Sequence, residues 1–125
     1  MIVILELSGC VSRPLSTEKV RDLEYVILEE HEIPEELMEK IEKIRYKAFR
    51  SVYEDAGVLY IAQGFGAQLH TGYKVEVTAV YETENAVCFH SRLLGPEKDE
   101  EVEEISTFPF VVIKMESLEK DVIFL

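Results

Sequence analysis

The apolar residues of this chain repeat with two different periods, and the change between them constrains the fold most. Four of them recur at spacings of four, four and three residues: Ile33, Leu37, Ile41 and Ile44. This spacing predicts one amphipathic helix over about 34–47, near the N-terminal side of the chain. From Phe49 onward the apolar residues alternate with polar ones, which is typical of half-buried strands. One helix followed by strands predicts an α+β domain that is mainly β.

Turn-forming residues divide the rest of the chain into predicted strands. The predicted ranges are 23–28, 49–53, 58–63, 73–82, 86–94, 108–115 and 121–125. Gly57 ends a short turn that joins two of these strands into a hairpin, and Asn85 lies in a second hairpin loop. We therefore expect the helix to pack on a mainly antiparallel sheet or sandwich of about six or seven strands, within one domain.

The charge of the chain excludes several classes of function. Its 125 residues contain 25 acidic and 13 basic side chains, which give a formal net charge of −12. Proteins that grip nucleic acid or anionic lipid need clustered Lys and Arg, so neither is an expected partner. Six of the acids lie in the run 97–104, which we interpret as a solvated loop because it lacks the pattern of a calcium loop. We refer to residues 97–104 as the acidic loop.

The N-terminal segment indicates where the protein works. Leu7-Ser8-Gly9-Cys10 resembles a lipobox, in which Cys10 would carry a lipid anchor, and the polar residues 11–22 would form a tether. No Lys or Arg precedes the apolar residues, as a complete signal would require, so residues 1–22 fit a truncated signal and tether. The alternative is a short edge strand over 2–7 in a cytoplasmic protein. We expect an extracytoplasmic lipoprotein whose single folded domain spans 23–125.

Two longer segments of the chain, together with the short Leu94-Gly95-Pro96 between them, resemble a known family. The first is a glycine-rich loop, residues 64–73, which reads GFGAQLHTGY and leads straight into a strand. The second is Thr107-Phe108-Pro109-Phe110, followed by the apolar strand that ends at Lys114. Together they resemble the C-terminal domain family of the protease-complex protein PrcB. The upstream residues 32–37, EIPEEL, resemble the short Firmicutes-type, lipoprotein-like members of that family. The loop departs from the family at Leu69-His70 and has one glycine, Gly72, where the family has two. The distal segment has phenylalanines where the family has tyrosines.

The resemblance implies a non-catalytic domain that binds or stabilises a protease or envelope complex, with no cofactor and no metal. The residues that would contact the protein partner are Gly64, Phe65, Gly66, Gln68, His70, Thr71, Gly72, Tyr73, Phe108, Pro109 and Phe110. Three alternatives stay open at this point. The loop can simply connect strands while Phe65 and Tyr73 fill the core, it can enter the cleft of a peptidase as an inhibitor, or the protein can be a small-ligand-binding lipoprotein.

Cys88 and His90 are two further residues whose side chains could bind a metal or react with a substrate. They are two positions apart in a predicted strand and therefore share one face. Neither a CxxC nor an HExxH spacing accompanies them, so a buried cysteine beside a half-exposed histidine is the interpretation we prefer. The sequence predicts no catalytic residue, and it leaves the oligomeric state open.

Overall fold

The computed structural model describes residues 14–125, which form two packed β-sheets and one helix. The elements are β1 Arg21–Asp22, β2 Val26–Ile27, a 3₁₀ turn Glu30–Glu32, α1 Glu35–Ile44, β3 Ala48–Asp55, β4 Val58–Phe65, β5 Lys74–Glu82, β6 Ala86–Leu94, β7 Phe110–Glu116 and β8 Asp121–Phe124. The expected anchor Cys10 and the alternative strand 2–7 lie outside the described residues, so both stay predictions.

Each sheet has four strands, and their order differs from a simple succession of hairpins. The first sheet has the order β1-β5-β6-β8, and the second has the order β2-β7-β4-β3. All pairs are antiparallel except β6 with β8, which is parallel. The expected mainly β, α+β class is confirmed, whereas the expected count of six or seven strands is wrong because eight are present in residues 14–125.

The extra strand arises where the sequence predicts one strand over 23–28. The chain instead crosses from one sheet to the other in this segment. Asp22 pairs with β5 in the first sheet, and Val26 pairs with β7 in the second. Leu23 lies between them and packs against the core that the sheets share. The strand-forming residues of this segment therefore form two short strand pairings, one with each sheet.

Helix α1 covers the outer face of the second sheet. Leu37 and Ile41 of the helix are fully buried, and with Ile33 they pack against Ala62 and Val112 of the sheet. This confirms the apolar stripe of the predicted helix. The helix ends at Ile44 and not at 47, because the chain from residue 48 onward joins the backbone ladder of the second sheet. Residue 48, an alanine, is the first residue of β3.

The inner faces of the two sheets form the main core. Ile61 and Ile113 of the second sheet meet Val87 and Phe89 of the first sheet, and all four are fully buried. The Phe89 ring lies edge-on to the Phe124 ring, with 5.7 Å between their centroids. This aromatic contact ties the last strand, β8, to the core.

Residues 14–22, which the sequence analysis assigns to a polar tether, lie along the first sheet. The Ser16 N–H donates to Oδ1 of Asn85 over 3.0 Å, and the Tyr81 hydroxyl donates to the Thr17 carbonyl over 2.9 Å. The Val20 N–H donates to the carbonyl of Glu82 over 2.7 Å. This stretch is therefore hydrogen-bonded to the sheet on the N-terminal side of residue 23.

Glu82 joins this N-terminal segment to the chain before β8. Its carboxylate accepts a hydrogen bond from Lys120 Nζ at 2.6 Å and another from Arg21 Nε at 2.5 Å. The hydrogen bonds from Lys120 and then Arg21 lower the pKa of the Glu82 carboxyl below its usual value of 4.5. Its ionised form is therefore favoured more in the folded chain than in the unfolded chain.

This arrangement predicts part of the acid sensitivity of the protein. The stabilisation from ionised Glu82 is fully present above the unfolded pKa, and it is lost as the pH falls through the lower folded pKa. We expect Glu82→Gln to reduce the stability loss that urea unfolding detects between neutral pH and strongly acidic pH. Glu76→Gln, which removes a carboxylate paired with Arg92 at the surface, is the control and should leave that loss nearly unchanged. Equal acid profiles for Glu82→Gln and the parent protein would contradict this prediction.

Candidate functional site

The glycine-rich loop begins inside the second sheet, because Gly64 and Phe65 are the last two residues of β4. Gly64 lies between two strands, where it pairs with Phe49 of β3 and with Phe110 of β7. The ring of Phe49 covers its Cα so closely that a Cβ on Gly64 would lie 2.1 Å from the ring. This glycine therefore makes room for an aromatic ring, and its backbone is ordinary strand.

The remainder of the loop is hydrogen-bonded to residues 103–107. Gln68 and Thr107 exchange backbone hydrogen bonds of 2.8 and 3.1 Å. The Thr71 N–H donates to the Glu103 carbonyl over 3.0 Å, and the Glu103 N–H donates to Oγ1 of Thr71 over 2.8 Å. The Thr107 hydroxyl donates to the His70 carbonyl over 3.0 Å. The acidic loop is exposed as predicted, and through Glu103 it also holds the glycine-rich loop in place.

The side chain of His70 is half-buried and has a defined orientation. Its ring stacks on Tyr73 at a centroid distance of 5.0 Å, and its Nδ1 lies 2.8 Å from the Thr71 carbonyl oxygen. A carbonyl oxygen only accepts, so Nδ1 carries the proton that is shared in this contact. Among the predicted site residues, His70, Thr71 and Tyr73 thus support the loop from within.

Gly72 occupies a backbone conformation that suits glycine. Its φ is +99°, and a Cβ there would lie 2.8 Å from Cβ of Pro96 and 3.1 Å from Cγ1 of Val102. Gly66 also has a positive φ, of +76°. These two glycines let the chain turn at each end of the exposed part of the loop.

The second predicted segment, 108–110, lies directly beside the first. The Phe65 N–H donates to the Pro109 carbonyl over 3.1 Å. The guanidinium of Arg45 lies 5.6 Å from the ring centroids of both Phe108 and Phe110. These rings are half-buried under the end of α1, so they contribute to the packing of the site. The structure brings the two predicted segments together, and it turns most of their aromatic side chains toward the protein.

Several other apolar side chains are exposed at this end of the molecule, and three of them are more than half exposed. They are Leu69 with 83% of its surface exposed, Tyr46 with 57% and Ile105 with 55%, and we call them the rim patch. Tyr46 is linked to the loop by a hydrogen bond from the Ala67 N–H to its carbonyl, 3.3 Å long. None of these three residues is among the contacts predicted from the sequence. One available signal was the departure of Leu69 from the family's loop pattern.

Three further features of the described part of the chain concern metal binding, reactive side chains and membrane-spanning helices. Residues 14–125 contain no group of three or more His, Cys, Asp or Glu side chains placed to hold a metal ion. Cys88 is a fully buried free thiol, and His90 is half-buried next to Thr78, as the preferred interpretation of this pair expects. No helix in this part of the chain is long and apolar enough to cross a membrane.

The fold and this site define a class of protein: a mainly β domain of two packed sheets with one helix. A loop at one end of the domain is held by hydrogen bonds and exposes the apolar side chain of Leu69. The family model described as PrcB C-terminal matches residues 59–116 of this chain, slightly less than half of its length. The resemblance found in the sequence is thereby confirmed. The match runs from β4 into the end of β7 and includes both the glycine-rich loop and the acidic loop. Comparisons with curated proteins and with solved structures found no match.

Proposed function

We propose that this protein is a non-enzymatic interaction domain that docks onto a protein partner through the rim patch. The partner we favour is a protease or envelope complex outside the cytoplasmic membrane, in line with the family's implied role and with the lipobox-like N-terminal segment. The observation that carries the proposal is the position of Leu69, which exposes 83% of its surface at the tip of a hydrogen-bonded loop.

Exposure of such a side chain has an energetic meaning. Burying a leucine side chain in an interface is worth about 1.5–3 kcal/mol, and an apolar anchor of this kind often contributes much of the affinity of a complex. The backbone pairing of Gln68 with Thr107 and of Thr71 with Glu103 holds the loop before any partner binds. A loop that is already ordered loses little conformational entropy on association, so more of the contact energy contributes to binding.

The interface we propose therefore differs from the set of residues that the sequence analysis selected. Leu69, Tyr46 and Ile105 would contact the partner, whereas Thr71 and Tyr73 would act by keeping Leu69 in position. In this arrangement Thr71→Ala weakens binding indirectly, because it removes the hydroxyl that accepts the Glu103 N–H. A weaker effect of Thr71→Ala than of Leu69 substitution is expected for this reason.

A pull-down with purified domain tests the proposal. We expect Leu69→Asp to reduce capture of the partner from native membrane extracts at least tenfold, since it removes the apolar anchor and adds a charge. Val20→Asp is the matched control. Val20 is 65% exposed beside β1, which pairs with the end of β5 that is far from the glycine-rich loop. Equal capture by the parent, Leu69→Asp and Val20→Asp proteins would contradict the proposal, and capture from soluble extract alone would contradict the extracytoplasmic location.

A second candidate is inhibition of a peptidase by the same loop. The observation in its favour is that Leu69 is strongly exposed on a loop held by hydrogen bonds. A side chain in this position can enter the substrate cleft of a peptidase. Inhibition of papain-like peptidases at micromolar concentration, abolished by Leu69→Asp, would support this candidate over simple docking. Full peptidase activity in the presence of excess domain would leave docking as the function of the loop.

A further inference from the structure

The second sheet ends in a long strand whose outer side has no partner among residues 14–125. This strand is β3, eight residues from Ala48 to Asp55, and every residue of it pairs with β4 without interruption. The other outer strands are shorter, with two residues in β1, two in β2 and four in β8. Bulges, Pro and charged side chains, Lys above all, are the usual means of preventing strand-to-strand association. The strand β3 has no bulge, Pro or Lys, and its charged residues Arg50 and Glu54 have opposite signs, so they can pair with those of a second copy.

The turn after β3 determines which backbone groups point outward. Ala56 and Gly57 form a two-residue loop with φ values of +51° and +82°, as in a type I′ hairpin. The flanking residues Asp55 and Val58 then form a hydrogen-bonded pair, and pairing with β4 alternates from there along the strand. The N–H and C=O groups that point away from β4 therefore belong to the even-numbered residues: Ala48, Arg50, Val52 and Glu54.

The charged side chains on this face of β3 are complementary to those of a second copy of the strand. They share one face of the strand, on which Val52 is 44% exposed and lies midway between Arg50 and Glu54. If a second β3 pairs antiparallel with Val52 opposite Val52, Arg50 of each copy lies opposite Glu54 of the other. Shifting the centre of pairing to Arg50 or to Glu54 places like charges opposite each other, which is unfavourable. Charge therefore selects the register that is centred on Val52.

We propose that two copies of this protein associate through their β3 strands, in the antiparallel register centred on Val52. The second sheets of the two copies then form one continuous eight-stranded sheet across a twofold axis. The proposal rests on the pairing and charges of β3 and uses no residue of the rim patch, although Tyr46 lies two residues before the strand. Each substitution in β3 acts twice in such a dimer, since the interface is the same surface on both copies.

Charge exchange tests both the surface and the register. The parent protein should sediment as a concentration-dependent dimer in analytical ultracentrifugation at physiological salt. Arg50→Glu alone and Glu54→Arg alone each place like charges opposite each other, and each should weaken association at least tenfold. An equimolar mixture of the two variants restores both opposite-charge pairs, so it should form a heterodimer with nearly parental affinity.

A matched control separates these effects from a change in net charge. Lys98→Glu makes the same charge change as Arg50→Glu in the exposed acidic loop, and it should leave the dimer unchanged. Circular dichroism of each variant verifies that the fold is retained. A parent protein that stays monomeric up to several hundred micromolar would overturn the proposal. Association of the mixed variants no stronger than that of each variant alone would overturn the register.

Discussion

Replacement of Gly64 by alanine is expected to lower the free energy of unfolding by about 2–3 kcal/mol. The new Cβ would lie 2.1 Å from the ring of Phe49, a separation that no native packing tolerates. The ring can escape only by leaving its place near Phe110, whose centroid is 6.4 Å away. Both rings pack against the cluster under α1, so the loss of stability should affect the whole second sheet. Urea unfolding followed by circular dichroism measures this change.

Two further variants identify the cause of that loss. Gly95→Ala introduces the same methyl group where the nearest atom is 3.7 Å away, in the ring of Tyr73, so its effect should stay within about 0.5 kcal/mol. Phe49→Ala removes the ring that the methyl group meets, so in that background Gly64→Ala should cost much less than in the parent protein. Additive effects of the two substitutions would show that the contact with Phe49 is not responsible.

Gly72→Ala is the second substitution from which we expect a large effect, also about 2–3 kcal/mol. Two costs act together at this position. The φ of +99° strains a residue with a side chain, and the added methyl group meets Cβ of Pro96 at 2.8 Å. The proline ring is rigid, so the clash moves the backbone of the loop. We expect the hydrogen bonds between Thr71 and Glu103 to open, which amide hydrogen exchange detects at both residues.

Gly57→Ala separates the two costs. Gly57 also has a positive φ, of +82°, but its Cβ would have no atom within 4 Å, so only the backbone strain applies. Its destabilisation should be clearly smaller than that of Gly72→Ala, and exchange at Thr71 should not change. Equal losses at the two glycines would attribute the whole effect to backbone strain and would contradict the importance of the Pro96 contact.

These two predictions also show how the sequence analysis of the loop differs from its structure. Glycines in a binding loop are ordinarily interpreted as a source of backbone freedom. For Gly72 the positive φ agrees with that interpretation, whereas Gly64 has a packing role that depends on Phe49, fifteen positions earlier in the chain. A contact with a residue on another strand leaves no mark in the local sequence. For the same reason, the hydrogen bonds of Thr71 with Glu103 could not be foreseen.

The parts of the fold that follow local patterns were predictable. The stripe from Ile33 to Ile41 located the helix, and Gly57 marked the turn between β3 and β4. The crossing between the sheets near Leu23 was not predictable, because apolar alternation identifies a strand without specifying its sheet. The parallel pairing of β6 with β8 was missed too, since it depends on a connection of more than twenty residues that passes through β7 in the other sheet.

The order of strands in the second sheet has a consequence for folding. One of its two inner strands, β7, spans Phe110–Glu116 and separates β2 from β4, although both of these lie much earlier in the chain. Until β7 joins the sheet, β2 has no neighbour in it and the apolar inner face of β4 is only partly covered. The helix and the two hairpins can form from residues that are near in sequence, whereas the paired sheets assemble only once this long-range pairing is made.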